Sequence, residues 1–450
     1  MRVYSILSAK MRALVWVGVW ILVSIVSFKL DSVLNGRAGF GIMPFVVIGV
    51  GALGLLIYLA TKTKHKALKL AFSYLTIAPL CLIVGELYGY YKLESSSEQD
   101  PCAASTSGTY ASDYFTPSPI TGYKGKPNTT ATAHKSTQSG KSLYNVSYTT
   151  DELGWRITPS SKLDSSFCVL FFGDSFTIGE GVQDNETLPF YFGKQVNARI
   201  YNFGFHGYGP HQALALVQSG EIARIVKDCQ SVLAIYESLP GHIARAGGFS
   251  SWEQGTNAPR FYLANGSLEW RNAYLHKSPV LAKLAPKLQA RLAQSYLYKL
   301  LQPSYGYDES RNALYFAIID TLQKELQEHF GAHFTLVLWD ATDLSDETER
   351  KESHAIIKHY KNGLGGGAMD LVLASEILPN YKQQREAYGI DRCDLHPNAR
   401  ANEQIARYLV DLPNLTNSQA AGFQTTAKDS RIFDECCALR EKAQGSYLEW

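Results

Sequence analysis

FFGDSFTIGEGV, residues 171–182, decides how this chain is read. The apolar run Phe167–Phe172 (FCVLFF) enters it as a buried strand, and Gly173-Asp174-Ser175 leaves it at a sharp turn, with Thr177, Gly179 and Gly181 following. A serine at a strand-to-helix turn projects its hydroxyl at the carboxyl edge of a sheet. There it lies beside amide N–H groups of the helix start that can bind a developing oxyanion. Taken alone, the same residues equally describe a helix N-cap in a glycine-rich turn.

Around this turn, short apolar runs alternate with helical stretches. Arg199–Phe203, Ser231–Tyr236 and Phe334–Trp339 read as further buried strands. Leu188–Val196, His211–Ser219, Lys283–Leu301 and Arg311–Phe330 read as helices. In a last helix, Ala399–Leu412, the residues Ala401, Ile405, Tyr408, Leu409 and Leu412 form one apolar face. Such alternation predicts an α/β domain, a parallel sheet with helices on both faces, whose ligand site lies beyond the carboxyl ends of the strands.

Two more segments fall at strand-to-helix boundaries. YNFGFHGYGP (201–210) carries Gly204, Gly207 and Gly209, and a glycine there can donate its backbone N–H to an oxyanion while leaving room for an acyl group. DRCDLHPN (391–398) holds Asp391, Asp394 and His396 just before the last helix, with Pro397 suited to a first helical turn. A serine is a poor nucleophile near neutral pH unless a base takes its proton, and a neutral imidazole oriented by a carboxylate is suited to that task. Each segment alone has a bland reading as a cap or a surface loop. Their joint order of nucleophile, oxyanion glycine and acid–histidine favours the catalytic one.

In these blocks the chain resembles the SGNH (GDSL-type) hydrolase family over roughly Ser142–Leu412, the Gly173-Asp174-Ser175 and His396 blocks being the specific parts. The resemblance implies a flavodoxin-like three-layer α/β/α fold and the chemistry of esterases, lipases, deacetylases and acyltransferases. It makes Ser175 the nucleophile, His396 the base and Asp394 the orienting acid, with the backbone amides of Ser175 and Gly207 in the oxyanion hole. Two departures stand out. The family's usual acid lies three residues before the histidine, where this chain has Cys393; Asp394 takes the role, with Asp391 in reserve. The usual glycine-x-asparagine-aspartate block is replaced by ESLPGHIAR (237–245), so the asparagine donor is missing and His242 is expected to replace it. His206, His211 and Arg245 are further candidates to face the cleft. No metal or organic cofactor is implied, and GLGGG (363–367), which follows no strand and lacks a phosphate-loop lysine, reads as a flexible loop.

The rest of the chain concerns placement. Of 450 residues, 46% are hydrophobic and 19% charged, and a net charge of +2 gives no reason to expect a nucleic-acid partner. The apolar residues crowd into Ala13–Leu30, Ala38–Ala60 and Leu70–Tyr91, each near the roughly 20 residues that a bilayer core requires. Residues 1–93 are thus expected to form a membrane anchor of three transmembrane helices. Arg2, Lys10 and Arg12 before the first run, and Lys62, Lys64, Lys66 and Lys69 between the second and third, put the N-terminus inside and everything after Tyr91 outside. Glu86 reads as a solvated helix end within an interfacial belt of Tyr88, Tyr90 and Tyr91. Residues 94–141 read as a Ser/Thr/Gly-rich linker, 142–412 as the hydrolase-like domain and 413–450 as a polar tail. Cys81 and Cys168 read as small hydrophobes; among Cys102, Cys229, Cys393, Cys436 and Cys437 one or two disulfides fit an oxidising compartment, in no readable pairing.

The expectation is therefore an extracytoplasmic serine esterase or O-acyltransferase at a bacterial inner membrane, its catalytic domain periplasmic. Its substrate would be an acylated carbohydrate of the cell envelope or another ester, with the lipid bilayer and a membrane acyl donor as partners. The alternatives are a lipid esterase and a catalytically degenerate glycan-binding module.

Overall fold

The computed structural model describes residues 17–24, 42–97, 101–253, 256–271, 292, 295–301, 308–340, 347–361 and 369–412. The chain divides into two compact units, Met1–Asp100 with Lys287–Ser304, and Pro101–Pro286 with Tyr305–Trp450.

The larger unit is built on five parallel strands: β1 (Phe167–Phe172), β2 (Arg199–Asn202), β3 (Ser231–Ser238), β4 (His333–Leu338) and β5 (Met369–Leu373). Their order is β2-β1-β3-β4-β5, the flavodoxin-like order, which places a crevice where connections diverge from β1 and β3. All six residues of β1 are buried, as a strand covered on both faces requires. Alternation sorts them between two cores. Leu170 and Phe172 join Tyr236, Leu336 and Leu338 under the helices Pro210–Gln218 and Glu309–Phe330, whereas Val169 and Phe171 join Leu233, Ile235 and Val337 under Leu188–Gly193 and Ala399–Val410. The sequence places β1 to the residue and β2, β3 and β4 within two residues at either end. It misses β5 and the helix Glu347–Lys361.

The expected linker is a correction. From Pro101 it belongs to the larger unit, and Ala104–Ser107, Thr130–Thr137 and Ser142–Thr149 pair as a three-stranded antiparallel sheet. TATAHKST alternates like any half-buried strand, but its inward positions are Ala131 and Ala133, too small to register as an apolar run. Disulfides join Cys102 to Cys393 and Cys168 to Cys229, so Cys168, read as a small hydrophobe, is a bridge from β1 to the residues before β3.

In the smaller unit, two helices, Pro44–Lys62 and Lys66–Leu93, are long and apolar enough to cross a membrane. Leu70, Leu80, Leu82 and Val84 are exposed along the second, as side chains facing lipid would be. Of the first expected span only residues 17–24 are described, and they are helical; among the described residues, two helices are of spanning length. Glu86 is not solvated: it is buried and accepts hydrogen bonds from Ser295 Oγ and, at 2.9 Å, from the Tyr296 backbone N–H. The helix expected at Lys283–Leu301 is described over Tyr296–Leu301 and lies in this unit, with the ring of Tyr296 edge-on to Tyr90. The GLGGG loop, Cys436, Cys437 and the tail lie outside the described residues.

Candidate active site

β1 is followed by Gly173, whose φ of 148° suits glycine alone; a Cβ there would stand 2.1 Å from Thr177 Oγ1. The Asp174 carboxylate accepts from the Phe176 N–H at 2.9 Å and caps the short helix Ser175–Ile178. One helical turn has little stability of its own. Arg156, which sequence reasoning missed, fixes its far end. The buried guanidinium donates to the carbonyls of Ile178 (2.7 Å), Gly179 (2.6 Å) and Val182 (2.7 Å) and to the Asp184 carboxylate (2.8 Å). A charge-assisted donor thus meets the carbonyls a helix end leaves open.

Ser175 Oγ lies 2.9 Å from His396 Nε2, and His396 Nδ1 lies 2.6 Å from Asp394 Oδ1. The residues expected to form the acid–base system are brought together. Asp391, the reserve acid, instead accepts from Lys141 Nζ at 2.5 Å. The pair rides on the short strand Asp394–Pro397, which pairs with Gly389–Asp391, and Cys393 within this turn is tied to Cys102. The former linker supplies a further member: Lys135 donates to Asp394 Oδ2 at 2.7 Å. Burial would raise the Asp394 carboxyl, but His396 and Lys135 hold it well below the usual carboxylate range. Burial would lower the His396 imidazole, but Glu180 and Asp394 raise it above the ordinary histidine value.

Glu180 is the second residue the sequence reading missed. It is buried, its Oε2 lies 2.7 Å from His206 Nδ1 and 3.8 Å from His396 Nε2, and its Oε1 lies 3.9 Å from Lys135 Nζ. Glu180, Asp394 and His396 offer ligand atoms within 4.8 Å of one another, as a metal site would. Here, though, the Lys135 ammonium already stands between the two carboxylates, and both nitrogens of His396 are engaged by Asp394 and Ser175.

Gly207 has a φ of 73°, and a Cβ there would stand 2.2 Å from Trp252 Cγ. Its N–H donates to no acceptor among the described residues. His242 is a correction. It is expected to reach the oxyanion, yet it is fully buried, with Nδ1 2.8 Å from Tyr236 Oη and Nε2 3.2 Å from Asp174 Oδ2. Arg245 donates to the same Asp174 oxygen at 2.6 Å and to the Tyr208 carbonyl at 2.7 Å, joining the nucleophile turn to the glycine loop. Burial would raise the Asp174 carboxyl, but Arg245 and His242 keep it ionised well below its usual range. His206 and His211 are likewise buried, on Glu180 and, at 2.6 Å, on Glu253. Where the family's third block begins, burial pushes the Glu237 carboxyl up to about 7, although Trp339 Nε1 donates to it at 3.0 Å.

The parallel sheet in this order, the serine beyond β1 and the Asp394–His396 pair before the last helix make an SGNH (GDSL-type) hydrolase-like fold. No family model and no curated protein matches the chain. Among solved structures it is similar to a member of the lipolytic protein G-D-S-L family from Veillonella parvula DSM 2008. The identity is 10%, the TM-score 0.33, and the match covers 55% of this chain and 98% of that one. It is also similar to a carbohydrate esterase family 2 enzyme plus carbohydrate binding domain from Corynascus thermopiles (Myceliophthora fergusii). That match has 12% identity and a TM-score of 0.32, covering 60% of this chain and 70% of the other.

Proposed function

We propose that the chain is a membrane-tethered, extracytoplasmic serine esterase or O-acyltransferase acting on acyl esters of cell-envelope polysaccharide. One observation carries the reading: the hydrogen-bonded chain from Ser175 Oγ through His396 to Asp394. In the reaction Ser175 Oγ attacks the ester carbonyl as its proton passes to His396 Nε2, and the imidazolium returns that proton to the leaving alkoxide. Water or a sugar hydroxyl then releases the acyl group by the same route reversed. The amides of Ser175 and Gly207 stabilise the oxyanion.

Support for the location comes from the two spanning-length helices, from Lys62, Lys64, Lys66 and Lys69 at their junction, and from the two disulfides of the larger unit, which suit an oxidising compartment. The test is mass spectrometry of the purified chain after exposure to activated acetyl esters. An added acetyl on Ser175, absent from Ser175→Ala, is expected; no adduct at Ser175 would sink the reading.

A second reading, a glycan-binding module that has lost turnover, is favoured by the inward position of His242, which leaves two backbone donors for the oxyanion. Removing one such donor reduces rates by about 10²–10³. Trapping of Ser175 by a phosphonate separates the two readings.

A further inference from the structure

Asp394 faces Nδ1 of His396, and a second carboxylate faces the other nitrogen. Glu180 sits five residues after the nucleophile, its N–H donating to the Ser175 carbonyl at 2.8 Å. Its Oε2 lies 3.8 Å from His396 Nε2, the atom that contacts Ser175 Oγ. At that distance there is no hydrogen bond, so Glu180 receives no proton from His396 and acts through its field.

We propose that Glu180 is a positioning residue of the acid–base system, holding the His396 imidazolium from the Nε2 side while Asp394 holds it from the Nδ1 side. The inference rests on the serine mechanism proposed above.

The charges around His396 lie in a partly buried site, which screens them less than open solvent would. The groups facing Glu180 are His396, His206, Lys135 and Tyr144, the last with its hydroxyl 3.4 Å from Oε1. Tyr110 and Tyr148, buried near by, stay neutral phenols because burial raises both. His206 Nδ1 lies 2.7 Å from Glu180 Oε2, and its Nε2 is buried without a hydrogen-bond partner among the described residues. Lys135 contributes one positive charge, and Asp394 and Glu180 one negative charge each. These three groups together carry one net negative charge, which a proton on His396 balances.

Without Glu180, the Lys135 and Asp394 charges would already cancel, and protonating His396 would create an uncompensated, partly buried cation. Lys135, needed to hold Asp394 in place, opposes the imidazolium, and Glu180 offsets it. No atom of Glu180 enters the bond changes. The Oγ–H bond breaks, N–H and Oγ–C bonds form, and the carbonyl electron pair moves to oxygen. On collapse the Nε2 proton leaves with the alkoxide. Glu180 remains ionised throughout.

The test uses the full-length chain in detergent and follows labelling of Ser175 by a small fluorophosphonate as a function of pH. The rate rises as His396 loses its proton. Glu180→Gln is expected to move that rise about one pH unit lower and to slow the plateau by roughly 10-fold or more, whereas Lys135→Met moves the rise higher. A purely structural role would slow labelling without moving the limb.

If wild-type Ser175 is not labelled at all, the serine reading fails and the role of Glu180 with it. If wild type is labelled and Glu180→Gln keeps the wild-type limb, the Glu180 role alone is overturned. Should Glu180→Gln not fold, Lys135→Met decides: an upward displacement supports the charge balance, and an unmoved or lowered limb overturns it.

Discussion

Lys135 Nζ and Asp394 Oδ2 lie 2.7 Å apart, across the carboxylate from the oxygen that accepts from His396. The acid of the proposed catalytic pair is thus held on both sides, by its histidine and by a lysine 259 residues earlier in the chain. A carboxylate with one partner can rotate; one gripped at both oxygens presents a fixed acceptor to Nδ1, and with it a fixed tautomer.

From this geometry, Asp394→Asn is expected to lower kcat/KM by roughly 1,000-fold or more, because an amide cannot accept from Nδ1–H and stabilise the cation in the same orientation. Asp391→Asn, which weakens an exposed contact to Lys141 and keeps a side-chain oxygen for the Cys393 N–H, should stay within about twofold. Steady-state kinetics on an activated acetyl ester decides, and equal losses in both variants would contradict the assignment.

The Cys102–Cys393 bridge spans 291 residues and closes the turn that carries Asp394. Replacing both cysteines by serine should reduce stability by about 2–4 kcal/mol in urea titrations and lower activity, since the turn then keeps its strand pairing and the contacts of Lys141 and Lys135 but loses its covalent tie to residue 102. Dithiothreitol, which can also reduce Cys168–Cys229, should lower stability and activity at least as far in the native chain. Unchanged activity after full reduction would show that the turn stands without the bridge.

Stability should depend on pH from both sides. Burial would raise Glu180, but His396, His206 and Lys135 bring it down to about 2 from an ordinary 4.5. Its ionised form therefore stabilises the fold above about pH 4.5, and this contribution, on the order of 3 kcal/mol, is lost as pH falls towards 2. Asp174 and Asp394, also depressed, act in the same sense. Glu237 is shifted the other way, to about 7, so its contribution is present below 4.5 and lost as pH rises through 7. Urea midpoints are expected to fall on both sides of a maximum near pH 4.5–5, and Glu237→Gln should flatten the alkaline side. A Glu237→Gln profile that overlays wild type would exclude an ionising role for that carboxyl.

The nucleophile turn is legible in the sequence because β1 is continuously apolar and the glycines after it have no other use. The order of blocks carries the site, since a strand-to-helix boundary fixes where each side chain emerges. Arg156, Glu180 and Lys135 escape such a reading for one reason. Charged residues are normally solvated, and only the tertiary fold reveals that these have lost water and gained partners. Lys135 also lies on a strand whose inward face is alanine, in a stretch that composition alone marks as a tether. The helix Glu347–Lys361 is hidden similarly, since it buries little beyond Glu352, Ser353, Ile356 and Tyr360.

His242 offers the sharpest contrast between the two readings. Were its imidazole an oxyanion donor, His242→Ala would slow turnover and leave stability alone. The structure instead sets the ring between Tyr236 Oη and Asp174 Oδ2, fully buried. Truncation then strands the Tyr236 hydroxyl, removes one partner from the buried Asp174 carboxylate and opens a cavity. A buried polar group left unpaired costs about 1–3 kcal/mol, and a lost side-chain volume adds to that. His242→Ala is therefore expected to lower the urea unfolding free energy by roughly 2–4 kcal/mol. Where both forms are folded, kcat should fall by less than about 10-fold, since a single oxyanion donor is worth 10²-fold or more. Arg245→Ala should destabilise further, by about 3–5 kcal/mol, because it leaves the Asp174 charge buried without its cation. The pair of measurements discriminates: a stable His242→Ala protein with a hundredfold lower kcat would return His242 to the oxyanion hole. A destabilised one with near-normal turnover places it behind the nucleophile, as the brace that fixes Asp174.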